Sequence, residues 1–132
     1  MRNLFPFILL MLFIPAVGQE STEALDEKAF DYYLDEHYDS ALMYYQKVID
    51  KSAKTDASLH RYLGDCYNGA GNPDSAIHHY HQCLNDTTAY HRTHRSCCIG
   101  LSNVLRKVDS YKKALDYLEL AQKEYPYKSI CS

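Results

Sequence analysis

Three stretches of the 132-residue chain line up on one another without gaps. They are Tyr38–Ile49, Pro73–Leu84 and Tyr111–Gln122. Each carries an alanine (Ala41, Ala76, Ala114), a bulky residue four positions on (Tyr45, Tyr80, Leu118), and a small or β-branched one three beyond that (Val48, Cys83, Ala121). Twelve residues before each alanine stands another small residue (Ala29, Gly64, Ser102), followed three positions later by a large one (Tyr32, Tyr67, Leu105). Self-similarity at this period requires a fold in which one supersecondary unit is repeated and its copies stack, because a single copy cannot bury its own apolar face.

The spacing within each copy is helical. Apolar residues recur at intervals of three and four, as in Leu25, Ala29, Tyr32 and Tyr33, and again in Ala41, Leu42, Tyr45, Val48 and Ile49. No stretch alternates apolar and polar residues as a half-buried strand would. The breakers sit between helices: Gly71-Asn72-Pro73 is a turn, and Pro126 ends the last pattern. Short connections make neighbouring helices antiparallel. Small residues belong where two helices cross closely, so Ala29, Ala41, Gly64, Ala76, Ser102 and Ala114 are expected at crossings. Tyrosine fills the space beside them, and a buried phenol then needs a partner for its hydroxyl.

The pattern resembles the tetratricopeptide repeat (TPR), a helix–turn–helix unit of about 34 residues. The second copy is nearest to it, with Leu63-Gly64, Tyr67, Gly71, Ala76 and Tyr80, and Pro126 stands where the family places its closing proline. The resemblance implies an all-α, right-handed α-solenoid of three TPR-like helix-turn-helix repeats at 22–55, 57–90 and 95–128, about six antiparallel helices. The helix pairs are expected near 22–36 and 39–51, 57–70 and 73–85, and 88–108 and 111–124. Two turns depart from the family, with Glu36 and Asp109 where glycine is usual, and Val48 replaces the late alanine of the first copy. The alanines are 35 and then 38 residues apart. The surplus falls around Tyr90–His94, so the first helix of the third repeat is expected to be longer, starting near Thr87 or Thr88 as N-cap.

Residues 1–18 read as a secretory signal peptide: Arg2, an apolar run from Leu4 to Ile14, then Ala16 and Gly18 before the cleavage point. The run is short for a membrane span. Cleavage leaves a TPR-like domain, 19–132, that holds all 13 Tyr and no Trp, with 13 Lys plus Arg against 17 Asp plus Glu. A net negative single domain with no basic stripe is not a nucleic-acid binder, and 114 residues are too few for most two-domain enzymes. The leader and the tyrosine-rich repeats point to an exported protein, periplasmic or secreted, in the envelope of a Gram-negative bacterium, with no membrane span after leader removal.

What the resemblance implies about function is protein binding, since the first helices of successive repeats line a concave groove in the family. Carried onto this chain, the groove is lined by Asp26, Phe30, Tyr33 and Leu34, then Arg61, Asp65 and Asn68, then Ile99, Asn103, Arg106 and Lys107. It runs from an apolar and acidic end to a basic one, which suits a protein or peptide partner with an apolar part and an acidic end. The Lys/Asn pattern by which one family variant clamps a C-terminal carboxylate is absent. Two further readings fit the resemblance: a truncated sensory region of a membrane-linked transcription regulator or kinase, and a sequestering or immunity protein. The repeats leave no room for a capping helix after Pro126, so the last apolar face is expected to be covered by self-association, a partner or a continuation of the chain.

Chemistry-bearing residues are present without a catalytic setting. No nucleophile elbow, phosphate loop or paired-carboxylate motif occurs, so the chain does not read as an enzyme and no cofactor is implied. His94 and Cys98 share a helix face and are types a transition metal accepts, but no metal motif accompanies them or the cluster His60, His78, His79 and His81, and no metal site is assigned. The five cysteines are Cys66, Cys83, Cys97, Cys98 and Cys131. Cys83 can approach Cys97 or Cys98 of the next repeat, and Cys66 and Cys83 equally suit small apolar crossings. Five is odd, which leaves Cys131 as a candidate for an intermolecular bond.

Overall fold

A computed structural model describes residues 18–126. The expected leader, apart from Gly18, and the tail with Cys131 lie outside the described residues. Six helices follow one another: α1 (Thr22–Leu34), α2 (Tyr38–Ser52), α3 (Ala57–Gly69), α4 (Pro73–Asn85), α5 (His91–Lys107) and α6 (Tyr111–Glu124). No strand occurs among the described residues. The helices pack as three hairpins, α1 on α2, α3 on α4 and α5 on α6, and the hairpins stack through α2 on α3, α4 on α5 and α3 on α5. This is the layout of a helical repeat solenoid.

Each hairpin turns in the same way. Glu36, Gly71 and Asp109 occupy one position in the three copies, and all three have positive φ, at 59°, 80° and 59°. Around each, two amide donors return to the carbonyls of the helix just ended. Glu36 and His37 bond Tyr33 and Tyr32, Gly71 and Asn72 bond Asn68 and Tyr67, and Asp109 and Ser110 bond Arg106 and Leu105. That is the left-handed helix stop usually reserved for glycine. The turn geometry is therefore kept where the residue type is not, and the two departures from glycine are departures of sequence only.

The helix starts follow the side chains available. Ser21 accepts from the amide of Ala24, Asp56 from Leu59, and Asn72 from Ser75 with Pro73 in the first turn. α5 is the longest helix at 17 residues but begins at His91, after Tyr90, rather than at Thr87 or Thr88. The reason is Asp86. Its carboxylate accepts from the amide (3.0 Å) and hydroxyl (2.6 Å) of Thr88 and from the Ala57 amide (3.1 Å). Thr88 is thus drawn into a turn on Asp86, which ties the end of α4 to the start of α3 and delays the next helix. At the far end, Arg95 donates to the carbonyls of Ala121 and Tyr125 and closes α6.

The small residues at the repeat positions Ala29, Ala41, Gly64, Ala76, Ser102 and Ala114 are all buried. The core divides into two clusters, one around Tyr45 with Ala29, Ala41, Leu59, Leu63 and Cys66, the other around Tyr80 with Ala57, Ala76, Cys83, Cys97, Leu101 and Val104. Gly64 of α3 and Gly100 of α5 hold the Tyr80 ring between them; a Cβ at position 64 would come within 2.7 Å of it. The Cys83–Cys97 disulfide, with a Cα separation of 6.5 Å, bolts α4 to α5 through this second cluster. Cys66 and Cys98 are buried free thiols, which burial pushes up to about 12 and about 11 respectively. One expectation fails: Tyr45 is fully buried, yet among the described residues its hydroxyl has no hydrogen-bond partner.

Candidate functional site

The first helices of the three hairpins, α1, α3 and α5, are linked side by side by polar contacts centred on Asp65. The Tyr33 hydroxyl and the Arg61 guanidinium both donate to Asp65 Oδ2 at 3.1 Å. The Tyr80 hydroxyl donates to Oδ1 at 2.5 Å from below. Further along, Lys107 Nζ of α5 donates to Asn68 Oδ1 of α3 at 3.0 Å. The part-buried Asp65 carboxylate is thus held by donors from α1, α3 and α4.

These contacts have electrostatic consequences. Burial and the negative charge of Asp65 push the phenols of Tyr33 and Tyr80 upward, so both remain protonated donors. Burial works against the charged form of Arg61, but Asp65 and the nearby phenols outweigh it and raise its pKa further. The Arg61 guanidinium also lies 4.0 Å over the Tyr62 ring. Tyr62 in turn belongs to an aromatic group with Phe30, Tyr33 and Tyr45, its ring centroid 5.1 to 5.9 Å from each of theirs.

A cavity of about 460 Å³ opens beside Asp65, lined by Tyr33, Leu34, Glu36, Tyr38, Asp65, Asn68, Gly69 and Lys107. Of the groove residues expected from the repeat alignment, Tyr33, Leu34, Asp65, Asn68 and Lys107 meet there. Arg61 stands behind the cavity as the partner of Asp65. Asp26, Phe30, Ile99, Asn103 and Arg106 do not line it; all five are exposed, Phe30 stacked on Tyr33. Glu36, Tyr38 and Gly69 were not expected. Glu36 is brought in by its left-handed turn, and Tyr38 reaches across from α2 because Gly69 has no side chain, a Cβ there colliding with the Tyr38 ring. The sequence signal for this pair is a glycine at the end of α3 that the helix itself does not need.

The histidines serve other purposes. His94 is buried, with Nε2 2.8 Å from the Asp86 carbonyl and its ring tilted against Tyr125. His60 and His79 approach through their Nδ1 atoms at 3.0 Å, with His79 stacked on Tyr67 and edged by His78. Burial, and then the neighbouring imidazoles, hold His79 down to about 4. No group of three or more His, Cys, Asp or Glu among the described residues is placed to hold a metal ion. Nor is any described helix long and apolar enough to cross a membrane.

No protein-family model matches the chain, and no curated protein matches it.

Proposed function

We propose that the chain is an exported, TPR-like protein-interaction module that holds a segment of a partner protein across the face formed by α1, α3 and α5. The observation that carries this reading is the cavity beside Asp65, where five of the groove residues meet and Glu36, Asp65 and Lys107 supply charge to the lining. Asp65 is already neutralised by Arg61 and capped by two phenols, so it fixes the floor of the groove. Among the described residues Lys107 has only the neutral Asn68 as its polar partner, which leaves its charge for a ligand. Phe30 and Leu34, both exposed, supply apolar contact at the other end. The fitting partner is a peptide segment with apolar side chains for Phe30 and Leu34 and an acidic group for Lys107 and Arg106. The reading as an envelope protein rests on the leader-like residues 1–18.

The test begins with affinity capture from a periplasmic extract and continues with the captured partner in a purified binding assay. Phe30→Ala and Lys107→Glu are each expected to weaken binding roughly tenfold, equivalent to about 1.4 kcal/mol. Arg106→Glu is expected to act in the same direction. Unchanged affinity in all three variants would remove the groove assignment. A reporter fused after Gly18 that stays in the cytoplasm would remove the export assignment.

A further inference from the structure

The three copies allow each helix face to be compared with its own equivalents. On α3, Leu59, Leu63 and Cys66 pack into the Tyr45 cluster and so cover α2. On α5 the same positions are Cys97, Leu101 and Val104, which pack into the Tyr80 cluster and cover α4. On α1 they are Ala24, Lys28 and Asp31, and the last two are exposed. The outer face of α1 is therefore polar, unlike the faces by which α3 and α5 pack on the helices before them.

The other end is the opposite case. The position held by Tyr45 in α2 and Tyr80 in α4, at 0% and 1% exposure, is held in α6 by Leu118 at 45%. Leu115, also exposed, corresponds to Leu42 and Ile77, which are largely covered. Tyr111, Leu115, Leu118 and Gln122 make one stripe along α6, with Lys112 and Glu119 seven residues apart on its flank.

We propose that this stripe is the self-association surface of the protein, and that a second copy covers it two-fold symmetrically, α6 against antiparallel α6. Stacking head to tail is disfavoured by the molecule itself, because α1 of the next copy would press Lys28 and Asp31 onto Leu118. The two-fold arrangement lays Leu115 of each copy on Leu118 of the other. It also sets Lys112 of each against Glu119 of the other, so the flanking charges satisfy themselves twice. The face-to-face pairing needs no segment other than α6 and leaves the groove of α1, α3 and α5 free in both copies, so it stands independently of the reading of that groove.

Sedimentation velocity on the purified chain across the micromolar range tests this, with leader processing recorded by intact mass. A reversible dimer is expected. Leu115→Lys with Leu118→Lys is expected to give a monomer at every concentration with unchanged helical circular dichroism, since both side chains are exposed. Lys112→Glu is expected to weaken the dimer several-fold, and adding Glu119→Lys to restore it. A parent chain that stays monomeric, a dimer that survives the double lysine variant, or open-ended oligomers in place of a dimer would each overturn the proposal.

Discussion

The second and last hairpins start from the same register and end in different surroundings. In α4 the residue four after the alanine is Tyr80, its ring held between Gly64 and Gly100 and its hydroxyl given to Asp65. In α6 the same position is Leu118, with nearly half its surface open. The helices are alike; what differs is that α5 packs over α4, whereas among the described residues no later helix packs over α6. In a stacked repeat the value of a side chain is thus set by the next copy as much as by its own, which is why stability in such folds behaves as a sum of units and interfaces.

A large effect is expected at what joins the covered hairpin to its neighbour. Replacing Cys83 and Cys97 together by serine removes a cross-link that closes a 14-residue separation. A loop of that size is worth about 3 kcal/mol, and urea unfolding should register a loss of that order. No loss would mean that the second and third hairpins are held by packing alone.

A smaller effect separates the two buried tyrosines. Tyr80→Phe strips one donor from the Asp65 carboxylate and should cost about 2 kcal/mol, as hydrogen bonds to charged groups do. Tyr45→Phe deletes a hydroxyl that has no partner among the described residues and should be neutral or stabilising by up to about 1 kcal/mol. Equal costs would show that the Tyr45 hydroxyl is satisfied after all. The smallest effect is one of pH. His79 takes its proton only near pH 4 in the fold but near its ordinary 6.5 when unfolded. Between those values the unfolded chain binds more protons, so stability is complete above the window and falls as the pH is lowered through it. The lowered His60 acts in the same direction. His79→Gln should flatten the melting temperature between pH 6.5 and 4.5, and an unchanged slope would place the acid sensitivity elsewhere.

The fold was legible because its rules are periodic. The alanines, the turn positions and the spacing of the large residues repeat, and each repeat of a signal strengthens the others. What was not legible depends on single side chains meeting across hairpins. The start of α5 could not be read from Thr87 and Thr88, because Asp86 claims Thr88 for a turn. Cys83 could have faced Cys97 or Cys98; the geometry of α5 selects Cys97 and buries Cys98. At the groove, alignment identified residues of the first helices but not Glu36 and Tyr38, which come from a turn and a second helix. Nor does any periodic signal mark Gly100, whose missing side chain makes room for the Tyr80 ring.

One repeat position thus has opposite consequences in α4 and α6. Urea unfolding of Tyr80→Lys and Leu118→Lys, measured side by side in dilute solution, separates the two positions. Tyr80→Lys is predicted to lose about 4 kcal/mol or more, or to fail to fold, because it buries an unpaired charge. Leu118→Lys is predicted to stay within about 0.5 kcal/mol of the parent, as exposed substitutions do. Comparable losses at the two positions would mean that Leu118 is buried within the single chain.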